Sequence, residues 1–223
     1  MQTPPSTPTP LFGPPTLRGQ LPNMLTAARL GLAVSFFATL AWPRPCENQR
    51  VMLLAAIVFV IAALTDALDG FLARRWNAVS IYGRIMDPFA DKVLVLGAFI
   101  MLAGAGFEAG GRQMSGVAPW MVVVILAREL LVTSIRGVCE SRGIDFSATL
   151  TGKLKMILQS AAVPMILLVL VLGLNIRDPH LDGDTAHEIN RVIAWVVTVV
   201  TAWSGVPYVR RAVRELSKAE AQR

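Results

Sequence analysis

Four aspartates, Asp66, Asp69, Asp87 and Asp91, fall within one short stretch of this 223-residue chain. Asp66 and Asp69 stand at i,i+3 and Asp87 and Asp91 at i,i+4, so each pair would share one helix face. Carboxylates that converge repel one another. Near an apolar boundary they must be protonated or neutralised by cations. An all-oxygen donor set selects hard ions such as Mg²⁺, Mn²⁺ or Ca²⁺. The chain has two histidines, His180 and His187, both in a polar segment far from the aspartates. Its two cysteines, Cys46 and Cys139, have no Cys or His neighbour at ligand spacing. A His/Cys zinc site is therefore excluded. Three readings remain at this point: a metal site, an ion or proton pathway, and acidic helix ends wetted by headgroup water. Intramembrane acids do mark ion pathways, but those of transporters tend to lie near the midplane. These aspartates are expected at one end.

The elements that must position them are apolar helices. The chain is 54% hydrophobic and 16% charged, with a mean hydropathy of +0.54. Soluble domains carry about 25% charge. A membrane span needs about 20 mostly apolar residues, and six stretches qualify, near 24–42, 51–73, 86–106, 117–138, 153–174 and 189–209. The expected fold is all-α: a polytopic bundle of six transmembrane helices. Asp66 and Asp69 end the second helix and Asp87 and Asp91 begin the third, so a short loop would bring the pairs together. The expected organisation is a disordered Pro-rich tail over 1–20, a membrane catalytic domain over 21–212 and a C-terminal tail over 213–223. Arg29, Arg128 and Glu129 lie inside spans, where a charge is expensive and usually functional or paired.

The net charge is +6 and the pI about 10. Long uncharged runs separate the basic clusters and no basic soluble domain stands apart, so a nucleic-acid partner is not expected. With six spans, only Arg44, Arg50, Arg112, Arg177 and Arg191 of the 21 Lys and Arg fall on one side. By the positive-inside rule the other side, with both termini and the aspartates, is cytoplasmic. Cys46 and Cys139 then lie on opposite sides and would not pair. His180 and His187 fall in a polar outer loop and are expected to be solvated.

The pattern Asp66-x2-Asp69-Gly70-x2-Ala73-Arg74-x8-Gly83-x3-Asp87-x3-Asp91 matches, at every fixed position, the signature of the CDP-alcohol phosphotransferase family. The resemblance covers residues 20–212. It implies a metal-dependent membrane transferase, usually a homodimer, that draws on a CDP-activated lipid. It implies that Asp66, Asp69 and Asp87 hold divalent metal, Mg²⁺ or Mn²⁺ and two ions in all. Two metals could clamp the attacking and leaving oxygens. The same resemblance makes Asp91 the general base and a possible further ligand. Gly70, Ala73 and Gly83 would let the nucleotide come close to the backbone, and Arg74 would pair with phosphate oxygens.

The acceptor must be read elsewhere, since the family shares its donor site. A phosphorylated acceptor needs cations, and Arg128, Arg136, Lys153 and Lys155 supply them. The segments Ala127-Arg128-Glu129-Leu130 and Gly152-Lys153-Leu154-Lys155-x3-Gln159 resemble those of the phosphatidylglycerophosphate synthase branch. So does the opening Pro22-Asn23-x-Leu25-Thr26-x2-Arg29. Met156 departs from the threonine that often follows the second lysine there. This branch implies CDP-diacylglycerol as donor and glycerol 3-phosphate as acceptor, in phospholipid biosynthesis. Inositol phosphate, serine or, in a cardiolipin-type reaction, phosphatidylglycerol are the alternative acceptors. A small cation transporter is the alternative from another class. The bland roles of these residues are interfacial anchoring for Lys153 and Lys155 and pairing with Glu129 for Arg128.

Overall fold

The computed structural model describes residues 17–76, 81–142, 150–174 and 183–221. Among these it contains six α-helices: α1 (Leu17–Leu40), α2 (Gln49–Trp76), α3 (Ile81–Leu102), α4 (Pro119–Ser141), α5 (Leu150–Gly173) and α6 (Gly183–Ala221). Each falls on one of the six expected stretches. The boundaries differ in ways local chemistry explains. α2 opens at Gln49 because Asn48 Oδ1 accepts hydrogen bonds from the Arg50 and Val51 amides at 3.1 and 3.3 Å, a helix N-cap. α4 opens with Pro119 in its first turn, where a missing N–H costs nothing. α1 already begins at Leu17, inside the segment expected as tail, and α6 runs unbroken past 212 to Ala221.

The α3–α4 connection holds a feature that periodicity did not announce. A one-turn 3-10 helix over Ala105–Phe107 leads into a two-stranded antiparallel hairpin, β1 (Glu108–Ala109) and β2 (Arg112–Gln113). Gly110 and Gly111 turn it with φ of 59° and 75°, the left-handed pair that a tight hairpin demands. Gln113 and Ser115 then donate to the Leu102 carbonyl, each at 2.6 Å, and satisfy the end of α3.

Helix packing follows buried small and apolar residues. α2 packs between α1 and α5, α6 between α4 and α5, and α3 lies along α1. The main core joins Phe36 of α1, Met52 and Phe59 of α2, Phe99 of α3, Ile125 of α4 and Ile166 and Leu167 of α5. A second cluster, Val132, Cys139, Tyr208 and Ala212, joins α4 to α6. Where α3 faces α4 and α5 the helices meet at only a few points, and a gap is left. Cys46 and Cys139 are both free and buried.

The outer faces are apolar. Leu53, Leu54, Ile57, Ile61 and Leu64 of α2 and Val192, Trp195, Val199 and Trp203 of α6 are all exposed. Two helical stretches, Thr151–Gly173 and Gly183–Glu215, are long and apolar enough to cross a membrane, and only 39% of each apolar window is buried. The core helix of a soluble protein would be mostly buried. Outward-facing apolar surface on this scale fits lipid. His187 departs from expectation: it sits on α6, half-buried, and its Nδ1 has no partner among the described residues. The helix start at Gly183 draws it out of the polar loop. His180 lies outside the described residues.

Candidate active site

The gap between α3, α4 and α5 is a cavity of about 500 Å³. All four basic residues singled out for an acceptor phosphate line it: Arg128 and Arg136 from α4, Lys153 and Lys155 from α5. Their spacing explains the convergence. Arg128, Val132 and Arg136 repeat every four residues and share one face of α4. Lys155 and Gln159 do the same on α5. Lys92 enters from α3 and Tyr208 from α6.

The four cations are not equivalent. Arg128 is buried at 9% exposure and engaged through its terminal nitrogens, while its Nε has no partner among the described residues. Its Nη1 meets Glu129 Oε1 at 3.1 Å, its Nη2 donates to the Ser204 carbonyl at 3.4 Å, and its guanidinium lies 5.6 Å from the centre of the Tyr208 ring. Stacking of this kind holds a guanidinium flat. Pro207 lies inside α6 and removes the amide that would bond the neighbouring Trp203 carbonyl, which loosens the ladder beside Ser204. Gly205 admits the arginine: a Cβ there would stand 3.3 Å from Arg128 Cγ. Lys155 is also buried and its ammonium pairs with the same Glu129 Oε1. Arg136 is half-buried, and its Nε has no partner among the described residues. Lys153 is exposed. Arg136 and Lys153 are thus the cations best placed to take an incoming anion.

Two residues that line the cavity, Lys92 and Tyr208, had no site role in the sequence reading. Lys92 counted there as a topology charge. It follows Asp91 on α3, and its Nζ donates to Thr133 Oγ1 of α4 at 2.7 Å. Tyr208 carried no signal at all. Gln159 donates to Thr201 Oγ1 at 3.0 Å and fastens α5 to α6. Arg29, noted as a charge inside the first span, is 1% exposed and engaged within the protein.

The acidic motif occupies the C-terminal half of α2 and the N-terminal half of α3. Asp66, Asp69, Gly70, Ala73 and Arg74 lie on α2, and Gly83, Asp87 and Asp91 on α3. The side chains of these eight positions, and residues 77–80 between the helices, lie outside the described parts. So do the side chains of Asn23 and Thr26. Among the described residues no group of His, Cys, Asp or Glu could hold a metal ion. The donor set of the motif is four carboxylates with no sulfur or imidazole, which fits a hard divalent cation.

The sequence profile of the CDP-alcohol phosphatidyltransferase family matches residues 19–203. The chain belongs to that family. Membership removes the cation-transporter reading of the aspartates, and divalent-metal dependence is typical of the family. Named relatives agree. The chain is 36% identical over 156 residues, 66% of its length and 76% of the relative's, to the CDP-diacylglycerol--glycerol-3-phosphate 3-phosphatidyltransferase of Bacillus subtilis. It is 34% identical over 197 residues, 88% of its length and 83% of the relative's, to a probable phosphatidylglycerophosphate synthase of Mycobacterium tuberculosis. A Rickettsia bellii 3-phosphatidyltransferase of the same description is 32% identical over 188 residues, 84% of this chain and 92% of the relative. For a member of this family, the basic cavity between α3, α4 and α5 stands on the same helix that bears Asp87 and Asp91.

Proposed function

We propose that the protein transfers the phosphatidyl group of CDP-diacylglycerol to sn-glycerol 3-phosphate, yielding phosphatidylglycerol phosphate and CMP. The observation that carries this reading is the cavity in which Arg128, Arg136, Lys153 and Lys155 converge. A neutral alcohol would not need so many cations, and a phosphorylated one would. The relatives named for this reaction support it.

In this reading Asp66, Asp69 and Asp87 hold two Mg²⁺ or Mn²⁺ ions, with Asp91 a possible further ligand. Bound there, the metal supplies charge neutralisation at the diphosphate. Gly70, Ala73 and Gly83 admit the nucleotide and Arg74 pairs with its phosphates. Arg136 and Lys153 hold the acceptor phosphate, while Lys155 and Arg128 complete the wall. Asp91 removes the proton of the acceptor's primary hydroxyl. That oxygen attacks the phosphorus bearing diacylglycerol, the phosphoanhydride bond breaks, and CMP leaves with its electron pair. Placing the reacting hydroxyl beside a fixed base supplies proximity and general-base catalysis together.

The six helices cross the membrane in this proposal, with both termini and the active site cytoplasmic. The asymmetry of Lys and Arg between the two sides supports that orientation. A cytoplasmic mouth lets a soluble acceptor meet a lipid donor. A homodimer follows from the family resemblance. The test is an acceptor screen on purified protein in detergent with CDP-diacylglycerol and Mg²⁺. CMP should be released with glycerol 3-phosphate and not with inositol phosphate, serine or phosphatidylglycerol. Faster release with any of those would overturn the acceptor assignment.

A further inference from the structure

A carboxylate inside a phosphate pocket needs a reason. Glu129 is 9% exposed and lies on the wall of the basic cavity. It would repel an acceptor phosphate and compete for the cations meant to bind it. A cavity built only to hold phosphate would work better without it. Both of its ion pairs, to Arg128 and to Lys155, use the same oxygen, Oε1. No donor among the described residues is assigned to Oε2. Arg128 is meanwhile spent on Glu129, Ser204 and Tyr208. The Arg128–Glu129–Lys155 unit is therefore a fixed wall that presents one hydrogen-bond acceptor, and the cations left for the phosphate are Arg136 and Lys153.

Resting on the function proposed above, we infer that Glu129 is a specificity-determining residue whose Oε2 accepts a hydrogen bond from the second, non-reacting hydroxyl of the acceptor. The acceptor is then read at three points: its phosphate by Arg136 and Lys153, its reacting hydroxyl by Asp91, and its middle hydroxyl by Glu129. A hydrogen bond to a charged, buried acceptor discriminates strongly, because an analogue lacking the hydroxyl leaves the carboxylate oxygen without a donor. The two Oε1 pairs fix the carboxylate's rotamer, so little ordering is left to binding.

The test compares glycerol 3-phosphate with propane-1,3-diol monophosphate, which keeps the phosphate and the reacting hydroxyl and lacks the middle one. CMP release from CDP-diacylglycerol is measured for the wild type, Glu129→Gln and Glu129→Ala, with thermal unfolding in detergent to establish that each variant is folded. In the wild type kcat/KM should favour glycerol 3-phosphate by at least about tenfold. In Glu129→Ala the preference should collapse to within about twofold, mostly through loss with glycerol 3-phosphate. Glu129→Gln, which keeps the shape and loses the charge, should fall between. Three results would overturn the inference: no wild-type preference, a preference that survives in both variants, or equal losses with both acceptors in folded Glu129→Gln. The last would mean that Glu129 only supports the fold. A wild type that releases no CMP with glycerol 3-phosphate would instead sink the proposed function, and the inference with it.

Discussion

Lys92 Nζ donates to Thr133 Oγ1 across 2.7 Å and ties α3, which bears Asp87 and Asp91, to the acceptor-side helix α4. Elsewhere these two helices barely touch. The bond therefore bridges the two helices at the cavity, whose lining includes both residues. Thr133→Val should raise the acceptor KM about three- to tenfold and change kcat less. Its cost in stability should be only about 1 kcal/mol, as for one partly exposed hydrogen bond. Steady-state kinetics and thermal unfolding of the same preparation check both parts.

Asp91→Asn should abolish CMP release, by about a thousandfold or more, while CDP-diacylglycerol binding persists. Asp66→Asn, Asp69→Asn and Asp87→Asn should instead raise the Mg²⁺ concentration needed for half-maximal rate. Chelation of the wild type by EDTA should stop turnover, and added Mg²⁺ or Mn²⁺ should restore it. Full activity in Asp91→Asn would refute its assignment as the base.

Arg136 and Arg128 share a helix face yet should respond differently. Arg136→Ala should raise the acceptor KM about tenfold and leave the unfolding midpoint within a few degrees, because its Nε has no protein partner among the described residues to lose. Arg128→Ala removes one member of a buried ion pair and should cost about 3 kcal/mol in stability. Gly205→Ala, which crowds Arg128 Cγ, should reproduce a milder form of the Arg128 defect. An Arg128→Ala protein as stable as the wild type would show that the pair carries no structural weight.

Among the described glycines, Gly116 is the one least able to accept a side chain. Its φ is +68°, and a Cβ would lie 2.6 Å from Arg191 Cα on α6. The obstacle is backbone and cannot step aside. Gly116→Ala should therefore lower stability by about 2 kcal/mol or more, with a fall in expression and in the unfolding midpoint. Acceptor KM in the surviving protein should be unchanged, since the cavity lies toward the other end of α4.

Burial pushes the Cys46 thiol up, and the neighbouring Glu47 adds to the shift. A folded pKa above the unfolded one stabilises the fold at pH values below the unfolded pKa. That contribution is lost as pH climbs through the folded value. Maleimide labelling of Cys46 should thus stay slow at neutral pH and speed up only under alkaline conditions or on unfolding. Mass spectrometry after timed quenching reads this directly, and rapid labelling at pH 7 would contradict the burial.

The helices were legible because an uninterrupted apolar run of helical length, such as 156–174, has few other physical readings. The convergence of Arg128, Arg136, Lys153 and Lys155 was legible because charge in such runs is costly and therefore placed for a reason. What sequence could not give was partnership across helices. Glu129 stands next to Arg128 in the chain and reads as a local pair, and its second tie, to Lys155, exists only because α6 packs against both α4 and α5 and brings two long side chains within reach. Tyr208 carries no signal in the sequence until α6 packs it against Arg128. The hairpin at Gly110 and Gly111 escaped because two-residue strands carry no period. His187 was misjudged because the start of α6 lay earlier than the apolar run alone indicated.

The 39 residues of α6 make a rod roughly 58 Å long at 1.5 Å per residue, against a hydrocarbon layer of about 30 Å. In the membrane arrangement proposed above, more than 20 Å of that length would stand clear of the oily layer. A reporter or neighbouring enzyme fused beyond its last turn would be carried at a set height above the lipid, like a flag on a mast, and not left to wander at the end of a tether.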